Sequence, residues 1–168
     1  GHLEHDFSRA EECLVAAASR GDLHLMRWLG ASFGGLDWNY GDGLALAQAA
    51  AGGHRRACEL LLSRGVLPTS RAGLPYALAC QNRNQTIRRL LERQAGSGDI
   101  QLYTRGDTAA VLSAQPLSPE YEHQAAEIGG RHVYLLAGTL DGVRRGLMTG
   151  RQSPEERHPV GGSKWRAI

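Results

Sequence analysis

Between residues 13 and 91, short apolar stretches return at nearly constant spacing, each with the same internal order. Cys13-Leu14-Val15-Ala16-Ala17-Ala18-Ser19-Arg20-Gly21-Asp22 is followed by Leu25-Met26-Arg27-Trp28-Leu29. Ala45-Leu46-Ala47-Gln48-Ala49-Ala50-Ala51-Gly52-Gly53-His54 is followed by Ala57-Cys58-Glu59-Leu60-Leu61-Leu62. Pro75-Tyr76-Ala77-Leu78-Ala79-Cys80-Gln81-Asn82-Arg83-Asn84 is followed by Ile87-Arg88-Arg89-Leu90-Leu91. Gly21, Gly53 and Arg83 hold equivalent positions, 32 and 30 residues apart. Each unit predicts two short helices joined by a tight turn. The first helix has small residues at its centre, and the second carries an apolar stripe at helical spacing, such as Leu25, Met26 and Leu29. Glycine at the turn accepts positive φ without a Cβ penalty, and Arg83 is the less comfortable occupant. Neither helix is long enough to persist alone, so stacking must supply each apolar face with a partner.

These units resemble the ankyrin repeat, whose T-P-L-H-x-A-A-x-x-G-H signature is echoed by Gly53-His54 after Ala49-Ala50. Leu74-Pro75-Tyr76 before Ala79-Cys80 echoes it again. Glu12-Cys13-Leu14-Val15 and Leu44-Ala45-Leu46-Ala47 stand where TPLH would, so the histidine bonds of that turn do not carry over. The resemblance covers residues 10–95. It implies a mainly α, helical-hairpin solenoid of three repeats, extending to four or five if degenerate ones are counted. It also implies finger loops at Ala31–Gly43 and Ser63–Gly73, with a shorter third at Gln94–Asp99, and a partner-binding concave side. The chain then divides into an array at 1–97 and, at 98–168, an irregular cap or small appended domain.

The C-terminal third supports several readings. Asp99 to Leu112 resembles a worn fourth helical hairpin, because Gly106-Asp107 mirrors Gly21-Asp22. A helix is predicted at Pro119–Ile128, with Ser118 as N-cap and acids in the first turn. From Arg131 to Met148 two readings stay open. Asp141-Gly142 between apolar stretches is a β-hairpin signal, and Leu136-Ala137 to Leu147-Met148 reads as a helical hairpin, which is preferred. The tail from Gln152 reads as loop, ending on Lys164-Trp165-Arg166.

With 42% hydrophobic and 21% charged residues, the chain has the composition of a folded protein rather than a disordered one. No apolar run approaches the ~20 residues that cross a bilayer, and no signal peptide is visible. Three scattered cysteines, all within apolar helical patterns, suit buried thiols in a reducing compartment. Localisation is therefore expected to be intracellular, in the cytoplasm, or in the nucleus of a eukaryotic cell. The net charge of +2 hides a gradient: −4 over residues 1–43, +6 over 44–97 and zero over 98–168. Arg55, Arg56, Arg88, Arg89 and Arg93 form a potential basic stripe. Such a stripe attracts acidic protein or phosphate backbones, and without interleaved aromatics an acidic protein comes ahead of nucleic acid.

Of the sequence signatures of catalysis, no P-loop, HExxH or strand-following GxGxxG occurs. The seven histidines lack ligand spacing, so neither metal nor cofactor is expected. The sharpest functional signal is Leu36-Asp37-Trp38-Asn39-Tyr40-Gly41-Asp42-Gly43, which puts two large aromatics into a Gly-rich loop. Trp and Tyr dominate interface hot spots because they bury much area with few rotors. Protein recognition is the expected function, with Trp38, Asn39, Tyr40, Asp42, Arg71 and Tyr76 as contacts. A rival expectation is a small catalytic or effector domain at 98–168, using His123, His132, Asp141 and His158. It requires those side chains to converge on a pocket.

Overall fold

A computed structural model describes residues 2–96, 99–117 and 125–148, with only the backbone over 2–8. Six helices come first: α1 His2–Arg20, α2 Leu23–Ser32, α3 Tyr40–Gly52, α4 Arg55–Ser63, α5 Ser70–Gln81 and α6 Gln85–Ala95. Then follow β1 Ile100–Arg105, β2 Thr108–Ser113, β3 Ala125–Ile128, β4 Arg131–Ala137 and α7 Leu140–Met148. The expected mainly helical solenoid is overturned. Residues 100–137 contain a four-stranded antiparallel sheet in the order β1-β2-β4-β3, and the chain is mixed α/β.

The six helices are arranged as three consecutive pairs. α1 packs on α3 and α3 on α5 through their small residues, while α4 packs on α6. Ala17, Ala18, Ala49, Ala50, Ala77 and Ala79 are all fully buried, so backbones meet closely there. Met26 and Leu29, Ala57, Cys58 and Leu61, then Ile87, Leu90 and Leu91 supply the buried stripes of the second helices. Gly21, Gly53 and Arg83 occupy the turns with φ of 70°, 75° and 55°. A second recurrence lies at the entries to α3 and α5. Gly41-Asp42-Gly43 and Arg71-Ala72-Gly73 are each three left-handed residues in a row. The right-handed helices therefore begin at Leu44 and Leu74, which places Pro75 in the first turn where its missing N–H costs nothing.

The sheet is covered on both faces, and its residues alternate accordingly. Ile100, Leu102, Ala109, Val111 and Tyr134 join the core of the helical pairs. Tyr103, Ala110, Leu112, Ile128, Val133 and Val143 form a second core beneath α7. Of the six paired helices α5 is the one that packs on β1 and β2, while α7 meets the same strands through the second core. Gly73 makes this contact possible, because a Cβ there would lie 2.8 Å from Val111 Cγ1.

The expectations for the C-terminal third change as follows. Asp99 to Leu112 is a β-hairpin turning at Gly106-Asp107, not a helical one. Asp141-Gly142 turns no hairpin but lies in the first turn of α7, and the turn between strands is Gly129-Gly130. Of the helix expected at Pro119–Ile128, residues 119–124 lie outside the described residues and Ala125–Ile128 is strand. The tail from Gln152 also lies outside them. Among the described residues, no helix is long and apolar enough to cross a membrane.

Candidate functional site

The two finger loops meet along one edge of the helical pairs. In the first, Asp37 N–H donates to Glu11 Oε2 at 2.7 Å, tying the loop back to α1. Asn39 N–H then donates to Asp37 Oδ1 at 3.0 Å, leaving the Asn39 side chain exposed. Trp38 is half-buried. Its ring lies over Gly30 of α2, where a Cβ would come within 2.5 Å of Cζ2, and the Arg64 guanidinium stacks above it, 5.0 Å from the ring centroid. Tyr40 is half-buried at the start of α3.

The second finger is stitched to the first through Arg71. Its N–H donates to Asp42 Oδ2 at 3.0 Å, and its Nη1 donates to the Gly41 carbonyl oxygen. Asp42 and Arg71 both hold positive φ, 54° and 52°, a strained backbone for residues with a Cβ. Ser70 Oγ and Arg71 Nε are buried beside this junction without a hydrogen-bond partner. Leu67, on the outside of the second finger, is 62% exposed. The edge thus brings together Trp38, Asn39, Tyr40, Asp42 and Arg71 from the expected set.

Tyr76 does not join them. It is buried, and its hydroxyl donates to Glu92 Oε1 at 2.6 Å, tying α5 to α6. Burial, with Cys80 and Glu92 beside it, raises its pKa above the ordinary tyrosine value. Arg64 and Leu67 belong to the edge but were missing from the sequence expectation. Arg64 directly precedes Gly65 in the loop, and no apolar periodicity marks Leu67. Another aromatic, Trp28, is 55% exposed on α2 and meets Phe33 edge-on at 6.5 Å.

The basic stripe lies on α4 and α6. Arg55 pairs with Glu59 at 2.9 Å and Arg88 with Glu92 at 3.1 Å, while Arg89 Nη2 reaches Gln85 Oε1 at 3.4 Å. Arg56 and Arg93 are exposed. Exposed i,i+4 pairs of this kind contribute only about 0.3–0.5 kcal/mol each. Two of the stripe's five charges are thus partly neutralised within their own helices.

The rival catalytic set is not brought together among the described residues. His132 sits in the sheet opposite Ser113 and Glu127, and Asp141 is exposed on α7 beside Arg144 at 3.5 Å. His123 and His158 lie outside the described residues. Among those described, no three His, Cys, Asp or Glu side chains cluster to hold a metal. No family model matches the chain, and no curated protein matches it either.

Proposed function

We propose that this chain is a protein-recognition module that grips its partner along the finger edge. The ankyrin-type reading of residues 10–95 belongs to this proposal, as does an intracellular setting. That Cys13, Cys58 and Cys80 form no disulfide supports the latter. The observation that carries the reading is the Arg71 bridge. It ties two loops 30 residues apart into one ledge, beside which stand the Trp38–Arg64 stack and the exposed Leu67. Trp and Arg are the residue types that concentrate binding energy, and an unpartnered apolar side chain beside them gains by being covered. Arg64 and Leu67 are both exposed, and replacing exposed side chains costs a fold little.

The test captures a partner by proximity cross-linking, then measures its affinity for wild type and three variants. Arg64→Glu and Leu67→Asp should each weaken binding by about 10-fold or more, as hot-spot truncations do. Arg93→Glu on α6 should leave it unchanged. Circular dichroism should match wild type throughout. Loss of affinity in Arg93→Glu alone would move the contact to the basic face of α4 and α6. A steep salt dependence on duplex DNA or RNA would instead favour nucleic acid.

A further inference from the structure

The tie between the two fingers is built on strain. In the first turn, Gly41 and Gly43 flank the left-handed Asp42, a residue type whose short polar side chain enters that region at less cost than most. The second turn sets Arg71 at φ 52° and Ala72 at φ 53° in succession, followed by a single glycine, Gly73. Neither residue type visits that region routinely, so each raises the energy of the folded backbone. Two polar atoms add to this. Ser70 Oγ and Arg71 Nε are buried with no hydrogen-bond partner among the described residues, so closing the junction takes them out of water. Against these costs stand the bonds of Arg71 to Asp42 and Gly41, the bond from Gly73 N–H to the Thr69 carbonyl oxygen at 3.1 Å, and the contact of Gly73 with Val111.

We propose that residues 70–73 form a latch, which releases the first finger by a local opening while α3 and α5 from Leu74 onward stay folded, and which the partner holds shut. The last clause rests on the finger edge being the partner's seat. Ser70, Arg71, Ala72 and Gly73 carry little apolar surface, so opening uncovers the Ala72 methyl and part of the Arg71 stem. It also rehydrates Ser70 Oγ and Arg71 Nε and frees two left-handed residues. The residues that follow behave differently. Leu74, Tyr76, Ala77 and Leu78 are buried in the core of the helical pairs, and uncovering them costs far more. Opening therefore stops at Leu74. Pro75 marks the same boundary, because its ring excludes a helical carbonyl four residues back, at Arg71, and keeps α5 from growing into the segment. Opening parts Arg71 from Asp42 Oδ2 and the Gly41 carbonyl oxygen, so the two fingers form one ledge only while the latch is shut.

Native-state hydrogen exchange on the full chain, followed by NMR, tests the latch. The protection of Arg71 N–H and Gly73 N–H should be at least about 10-fold lower than that of Leu78 and Ala79 in α5, and low urea should leave it unchanged, as a local opening requires. Asp42→Ala removes the acceptor of the Arg71 bond and should speed both exchanges by about 10-fold or more. Ser70→Ala removes an unpaired hydroxyl and should slow both by about 5-fold or more. The partner captured by cross-linking, added to saturation, should slow them further. The latch is overturned if Arg71 and Gly73 are as protected as Leu78, if their protection falls with urea as steeply, or if Ser70→Ala leaves them unchanged. These measurements use no partner, and the wild-type comparison decides even if Asp42→Ala does not fold. If they succeed while the saturating partner protects neither amide, the latch stands and the partner's seat on the finger edge falls.

Discussion

Arg83 shows how far single positions can be read from the chain alone. It stands where the two earlier turns have glycine, and it holds φ of 55°. A left-handed residue with a Cβ costs roughly 1–2 kcal/mol, partly offset by the greater unfolded freedom of glycine. Arg83→Gly should therefore stabilise the fold by about 0.5–1 kcal/mol, read as a rise in the urea midpoint. An unchanged or lowered midpoint would mean that Arg83 makes contacts outweighing its backbone strain. The cysteines were less legible. All three sit in apolar patterns, yet Cys13 is exposed, Cys80 half-buried and only Cys58 fully covered. Burial, with Glu59 adding to it, pushes the Cys58 thiol up from 9.0 to about 12. The unfolded thiol ionises first, so the stability Cys58 contributes is complete below pH 9 and is lost as pH rises towards 12. At pH 8 a thiol reagent should label Cys13 quickly and Cys58 only on unfolding. Equal labelling rates would contradict its burial.

Among the elements, the helix turns were readable and the ties between helices were not. Asp22 and Asn84 cap α2 and α6, accepting from Leu25 N–H and Ile87 N–H at 3.1 Å each. His54 precedes α4 at the same position but makes no capping bond. Its ring crosses to the neighbouring pair, where Nε2 donates to the Ser19 carbonyl oxygen at 3.0 Å. Asn82 does the same one pair later, donating to the Ala51 carbonyl oxygen at 2.9 Å. Asn84→Ala should cost about 1 kcal/mol through its lost cap. His54→Ala should cost about 1 kcal/mol by a different route, the lost bond between pairs. Hydrogen exchange separates the two: the first variant should loosen amides at the start of α6, the second those around the α1–α2 turn. Identical exchange patterns would refute the distinction. The strands were misread for a physical reason. Ala109-Ala110-Val111-Leu112 and Val133-Tyr134-Leu135-Leu136 contribute to cores on both sides of the sheet, so they run apolar without alternation. Such a run cannot be told from a buried helix by period, and its alanines and leucines tip the balance towards helix.

In the whole molecule, the sheet takes the place that another helical pair would occupy against α5. The contact of Gly73 with Val111 is where this substitution is most exposed to test. Gly73→Ala adds two costs: a left-handed Cβ at φ 80°, and a clash at 2.8 Å with Val111. Together these should destabilise the chain by roughly 2–3 kcal/mol. In a Val111→Ala background the clash disappears and only the backbone penalty of roughly 1–2 kcal/mol should remain. Additive effects of the two substitutions in urea melts would show that the sheet does not press on α5 at this point.

Residues 10–95 announce their own local order because their signals are local. Small residues at helix centres, stripes at helical spacing, and glycine or asparagine at turns each act within a few positions of the chain. The pairing of β2 with β4, the Arg71 bridge and the bond of buried Tyr76 to Glu92 join groups 16 to 30 residues apart. Which face of an apolar run is covered, and which carbonyl a side chain finds, is set by packing between elements, and no local pattern encodes it.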